Sequence, residues 1–233
     1  MSVQTKYLYI MGSASGIGKT MLCEGLLSQL LVNGYQPEQL AYIKPMTQCI
    51  DKQAVTVFCE NEHIAHCSIG SLVFKKGFTK EFIEGLNKNS ALLLQGIMTE
   101  IAIISEHKAI VIIDGIGGVS TGSVVGVSNA DIARSLAAPV LLIGQPGIGS
   151  AIDDTLLAIS FLQRQGIQNI ALVYNKIKPV ELANTQHYVS MRLTELLPTI
   201  PVLDFIGKHT KLDSKNKHQS AANIYQWLSS GSV

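Results

Sequence analysis

Charge is scarce in this chain, and so are aromatic rings. Asp, Glu, Lys and Arg make up 15% of its 233 residues, Phe, Trp and Tyr 6%, and there is a single tryptophan. Eighteen basic against seventeen acidic side chains leave a formal net charge of +1. That balance lacks the electrostatic footprint that DNA, RNA or an anionic membrane surface requires, so nucleic-acid and membrane binding are not expected. Long apolar runs are missing too: none reaches the roughly 18 uncharged residues of a membrane span. The opening run MSVQTKYLYIMGS reads as too short and too strand-like for a signal peptide. Four cysteines, Cys23, Cys49, Cys59 and Cys67, without a secretion signal predict reduced thiols and a cytoplasmic setting. There is no internal repeat, no low-complexity tract and no proline-rich linker.

Apolar residues are plentiful, at 47%, enough for a sizeable core. They come in strand-like runs separated by longer helical spacings. Residues 6–12 read as a buried strand, followed by a helix over 19–33 with apolar positions at 22, 26, 27, 30 and 31 and Gly34 at its end. Further strands are expected at 40–44, 109–113, 139–144, 169–174 and 200–205, and helices at 80–106, 129–137, 150–165 and 180–197. Near-continuous apolar strands alternating with helices imply a mainly parallel sheet covered on both faces. The segment 60–79 reads as a loop-rich insertion. Residues 1–210 form the expected domain, with a polar tail at 211–233 that carries a short amphipathic stretch, AANIYQWL, as a terminal helix.

Between the first strand and its helix stands Gly12-Ser13-Ala14-Ser15-Gly16-Ile17-Gly18-Lys19-Thr20. Small residues let successive backbone N–H groups turn toward phosphate oxygens, and a helix N-terminus adds partial positive charge. Lys19 is placed to reach the β- and γ-phosphates of ATP, and the Thr20 hydroxyl to ligate Mg²⁺. Five residues separate Gly12 from the GKT tripeptide, one more than the common pattern. Position 13 is serine, which disfavours the partitioning and membrane-cycling ATPases that carry an extra lysine there.

Four motifs follow one another: GSASGIGKT, then YIKPMTQ (42–48), VIIDGIGG (111–118) and VYNK (173–176). In this order they resemble the dethiobiotin synthetases and the related amidoligases acting on cobyrinic acid, over roughly residues 6–206. The resemblance implies a three-layer α/β P-loop fold, an ATP- and Mg²⁺-dependent ligase with a small-molecule substrate, and a homodimer. It also implies a role for each matching residue. Lys44 would assist phosphoryl transfer, Asp114 would hold Mg²⁺ in place of a glutamate, and Asn175 would read adenine. Ser15, Thr47, Gln48, Gly117 and Gly118 would face the substrate. Each has a plainer reading: Lys44 as a strand cap, Asp114 in an Asp-Gly turn, Asn175 as a turn residue. Asp51 is either a second Mg²⁺-holding acid or the N-cap of a helix beginning in KQAVTVF. Gly16, Gln48 and Gly207 depart from the synthetase pattern of an acidic loop residue, a small hydroxyl and a proline turn. The ATP machinery is thereby kept and the diamine pocket altered, so an amidoligase for another carboxylate and a nucleotide-switched regulatory module stay open.

Two further features stand apart. Cys59, His63, His66 and Cys67 carry zinc-ligand chemistry at a spacing that fits no common finger. The stretch 144–159 reads as a helix opening at about Ser150. It is either another anion-binding N-terminus, near substrate and dimer partner as the resemblance implies, or a plain helix start capped by Ser150 with Asp153 and Asp154 in its first turn.

Overall fold

The computed structural model describes residues 5–87, 89–208 and 214–230, with side chains from Ala221 onward in the last of these segments. The chain opens with β1 (Lys6–Gly12), the loop, and α1 (Lys19–Val32). Gly34, in the left-handed region at φ +91°, closes α1. Its N–H donates to Leu31 O (3.0 Å) and that of Tyr35 to Leu30 O (3.2 Å). These two hydrogen bonds satisfy carbonyls a helix end otherwise strands, and glycine takes the required φ without strain. Next come β2 (Leu40–Ile43), the two-residue β3 (Met46–Thr47), α2 (Ala54–Asn61), β4 (Ala65–Cys67), β5 (Leu72–Val73), α3 (Phe78–Ile83) and α4 (Ser90–Ser105). The remainder is β6 (Ile110–Gly118), α5 (Asn129–Ser135), β7 (Val140–Gly144), α6 (Gly149–Arg164), β8 (Ile170–Ile177), α7 (Leu182–Leu196), β9 (Val202–Gly207) and α8 (Ser214–Ser229).

Seven strands form one parallel sheet in the order β4-β2-β6-β1-β7-β8-β9. Alternation along each strand divides the core in two. Leu8 and Ile10 of β1, Tyr42 of β2, Ile112 of β6 and Ile143 of β7 pack with Leu26 and Leu30 of α1, Val55 of α2 and Trp227 of α8. Their neighbours Tyr9, Met11, Ile43, Ile113 and Leu142 pack on the other side, with Ile97 of α4, Ile132 of α5, Ile159 of α6 and Val189 of α7. A strand buried on both faces needs no polar alternation, which is why these runs read as continuously apolar. Among the described residues no helix is long and apolar enough to cross a membrane.

Three expectations are corrected. Residues 60–79 are not merely a loop: Ala65–Cys67 is the edge strand of the main sheet, in register with Ala41, Tyr42 and Ile43, and Leu72–Val73 pairs with Met46–Thr47. Strands of three and two residues leave too short a pattern for periodicity to register. The helix expected over 80–106 is two helices. Gly85 at φ +76° breaks the first, and the Asn89 side chain caps the second by accepting from Leu92 N–H. The third concerns α6, which begins at Gly149 after Ile148, without a side-chain cap from Ser150 and without acids in its first turn. Asp154 instead accepts a hydrogen bond from the Gln145 amide. The tail expected at 211–233 contains α8, whose Ile224, Trp227 and Leu228 join the core beside α1; residues 211–213 and 231–233 lie outside the described residues.

Candidate functional site

In an open parallel sheet, ligands bind beyond the carboxyl ends of the strands where the strand order reverses direction. Here that point lies at β1: the chain leaves it for β2 on one side, and later continues to β7 on the other, with β6 beside β1. A cleft of about 350 Å³ opens there, lined by the phosphate loop (Gly16, Gly18, Lys19, Thr20), Lys44 with Thr47 to Cys49, Gly115 to Gly117, and Lys176. Four segments far apart in sequence meet on this cleft.

Behind the cleft wall, bonded to its lining residues Thr20 and Lys44, is Asp114, fully buried. One carboxylate oxygen, Oδ2, accepts from the Thr20 hydroxyl (2.9 Å) and the Tyr42 phenol (2.9 Å), and lies 3.5 Å from Lys44 Nζ. The other, Oδ1, is buried with no protein partner. An orphaned buried carboxylate oxygen is costly, and beside the loop hydroxyl it fits a hydrated divalent cation, whose ligands are oxygens and water. Burial, and next the Asp114 charge, push the Tyr42 phenol well above its usual range, so it stays a proton donor to the carboxylate.

Lys19 is nearly buried and its ammonium donates to Gly117 O at 2.9 Å. Burial lowers its pKa, with Asp114 opposing and Lys44 adding to the shift. Three cations, Lys19, Lys44 and Lys176, thus line the cleft, with the one carboxylate of Asp114 behind its wall, an imbalance suited to a polyphosphate.

Lys44 owes its position to the corrected segment. Its N–H donates to Cys67 O (2.9 Å), its carbonyl accepts from Gly70 N–H (3.0 Å), and its ammonium also reaches Gln53 Oε1 (3.2 Å). A side chain at Gly70 would bring its Cβ within 2.5 Å of the Lys44 and Pro45 carbonyl oxygens, so the close approach demands glycine.

The remaining expectations divide. Thr47, Gln48 and Gly117 line the cleft, and Gly118 adjoins it. Gly12, Ser13, Ala14 and Ile17 shape the loop, while Ser15 is exposed and absent from the cleft wall. Asp51 is exposed beside Cys49, its carboxylate 3.5 Å from the Cys49 thiol and off the cleft wall; Gln53, not Asp51, stands at the N-cap of α2. Asn175 is buried, donating from Nδ2 to Ile17 O (2.8 Å) and accepting at Oδ1 from Lys176 N–H (2.8 Å). Each end of its amide thus serves the backbone with one hydrogen bond, out of the two that each end can form. Among the described residues no group of three His, Cys, Asp or Glu is arranged to hold a metal. Cys59 is in the core, His66 Nδ1 lies 3.1 Å from Ile64 O, and Cys67 Sγ lies 3.3 Å from Glu100.

Tyr42 and Lys176, which stand inside the motifs without an assigned role, and Gln53 and Asn129, which lie outside them, are further residues of the site. Asn129 is fully buried; its Nδ2 donates to Ile116 O (2.6 Å) and Gly118 O (2.7 Å), and its Oδ1 accepts from the Tyr9 phenol (3.1 Å). It fixes the strand end that carries the Gly117 carbonyl. The only signal in the sequence is a polar residue at the first position of a helix. Asn129→Ala strands two carbonyls and a phenol, and is expected to cost about 3 kcal/mol. Urea unfolding at unchanged slope would measure it; a loss under about 1 kcal/mol would remove the bracing role.

A parallel seven-stranded sheet, helices on both faces and a glycine-rich loop between β1 and α1 define a P-loop NTPase-like fold. The plasmid partition protein of Borrelia burgdorferi shares it at TM-score 0.60 and 14% identity, over 95% of this chain and 98% of that one. So does the MinD cell division protein of Aquifex aeolicus, at 0.55 and 15%, over 93% and 87%. At such identities the likeness is one of fold. A family model described as an AAA domain matches residues 6–211, and the chain belongs to this family, which includes the dethiobiotin synthetases. The ATP-dependent dethiobiotin synthetase of Gloeobacter violaceus is 27% identical, over 94% of this chain and 93% of its own. That of an Anaeromyxobacter species is 23% identical over 83% and 91%.

Proposed function

We propose that this protein is an ATP-dependent ligase of the dethiobiotin synthetase type, working as a cytoplasmic homodimer. The observation that carries the reading is the convergence of Lys19, Thr20, Lys44 and Asp114, from three separate motifs, on one cleft at the carboxyl edge of β1, β2 and β6. Its relatives of full length bear the synthetase name.

In the proposed reaction one amine of 7,8-diaminononanoate and CO₂ give a carbamate. A carbamate oxygen takes the γ-phosphoryl of ATP, releasing ADP, and the second amine attacks the carbonyl carbon, displacing phosphate and closing a cyclic urea with loss of protons. The substrates supply nucleophile and electrophile, so this chain's task is positioning and charge. Lys19 and Lys44 stabilise the oxygens of the transferring phosphoryl. Thr20 and Asp114 are the residues that would hold Mg²⁺, which would supply neutralisation of phosphate charge. Thr47, Gln48 and the Gly117 turn meet the acceptor.

The test is phosphate release from Mg-ATP with and without 7,8-diaminononanoate plus bicarbonate, with a mass-spectrometric search for the cyclic urea. Strong stimulation and a urea product are expected. Gln48 favours one second reading: a long amide stands on the cleft wall where the synthetase pattern has a small hydroxyl. ATP bound without stimulation by the diamine would move the assignment to the same chemistry on another carboxylate, or to a nucleotide switch. Light scattering reads the dimer directly.

A further inference from the structure

The lip of the cleft at the end of β8 holds a backbone conformation that its residue resists. Lys176 has φ +61°, in the left-handed region that L-residues with a Cβ enter at a cost. Such conformations persist where the surroundings over-determine them, and they concentrate at functional sites. Two contacts impose this one. The Lys176 N–H is taken by Asn175 Oδ1 at 2.8 Å, and its ammonium donates to Gly16 O at 2.6 Å. Gly16 and Ile17 are successive residues of the phosphate loop, and Ile17 O accepts from Asn175 Nδ2. Adjacent residues of one strand end therefore grip adjacent carbonyls of the loop. Gly18 lies against the same grip, where an added Cβ would stand 2.4 Å from Asn175 Nδ2.

The consequence follows from peptide geometry. A loop that binds phosphate must aim its N–H groups inward, so its carbonyls face outward and need donors of their own. For Gly16 and Ile17 those donors come from β8. Gly16 itself sits at φ +71° with no atom within 4 Å of where a Cβ would be, so its own side does not hold it in place. We infer that Lys176 is a positioning residue that straps the phosphate loop into its binding shape before any nucleotide arrives, independently of the base. The inference rests on the loop being a phosphate site, and Asn175 supplies the buried half of the same strap.

Lys176→Gly separates the strap from the fold, because glycine relieves the positive φ while deleting the ammonium. The expected variant melts no lower than the parent. In the absence of ligand it loses amide hydrogen-exchange protection across residues 12–20. Calorimetry should show ATP and inorganic tripolyphosphate each binding about tenfold more weakly, the scale of one hydrogen bond from a charged donor. Lys176→Arg, which keeps a donor of similar reach, should restore most of both.

Unchanged exchange in the ligand-free variant would overturn the strap, as would loss of ATP affinity with tripolyphosphate unaffected, which is the signature of a contact to the base. Parent protein that binds neither ligand would refute the phosphate-site reading itself. Absence of synthetase turnover with both ligands bound leaves the strap standing and touches only the proposed reaction.

Discussion

Lys19→Ala is expected to abolish ATP-dependent turnover, by at least roughly a hundredfold, while leaving the protein as stable as before. The two halves of this expectation have one cause. Lys19 is 8% exposed, and burial already pulls its pKa down, so the fold holds this ammonium against a desolvation cost. Its partner in the structure is the Gly117 carbonyl, a neutral dipole that compensates such a charge only in part. A triphosphate offers far more, and the lysine's stabilising interactions are thus held back for the ligand. Removing it deletes a charge the fold gains little from, and one the phosphoryl group needs. Phosphate release, with heat denaturation run alongside, checks both. A variant that melts well below the parent would show that Lys19 is chiefly a structural cation, and residual turnover near the parent's would take the phosphate role from it.

Much of this site was legible because the chemistry lies in contiguous motifs at strand ends. GSASGIGKT, KPMTQ and IDGIGG each follow an apolar strand, and a parallel sheet brings such ends to one edge whatever the intervening sequence. Hence Lys19, Thr20, Lys44 and Asp114 could be named together without knowing the strand order. What stayed hidden is whatever depends on partners distant in sequence. Tyr42 reads as one more apolar strand residue, yet its phenol completes the shell of Asp114. Asn129 and Gln53 read as ordinary helix-start residues, and only the fold shows the carbonyls and the ammonium they serve. Asn175 was legible as a polar residue at the right strand end, but its bond to the loop carbonyl of Ile17 was not, because the partner lies 158 residues away in sequence. Short strands failed for a different reason. Ala65–Cys67 has intermediate burial throughout and three residues, fewer than two full periods of alternation, although it anchors the Lys44 backbone.

The contrast between the two lysines gives the second large effect. Lys44→Gln is expected to lower turnover by about a hundredfold or more while changing ATP affinity by less than about threefold. Lys44 reaches into the cleft from β2, on the far side of β6 from the loop, and its ammonium lies 3.5 Å from Asp114 Oδ2. Its charge is therefore offset in the ground state by the carboxylate beneath it. It gains most when negative charge spreads over the transferring oxygens, and that is the condition for an effect on turnover rather than on binding. Glutamine is the informative substitution. It removes the charge but keeps polar volume and an amide donor near Gln53 and Asp114, whereas alanine would leave the buried carboxylate with neither cation nor donor at that position, a loss of about 3–5 kcal/mol that unfolding could mimic as inactivity. Lys44→Arg keeps charge but not shape, and should recover part of the rate if charge is what matters. Calorimetry with Mg-ATP and single-turnover phosphate release separate the two quantities. Equal losses of affinity and rate in Lys44→Gln would make Lys44 a nucleotide-binding residue like Lys19, and an unaffected rate would leave it the strand-capping partner of Asp114 alone.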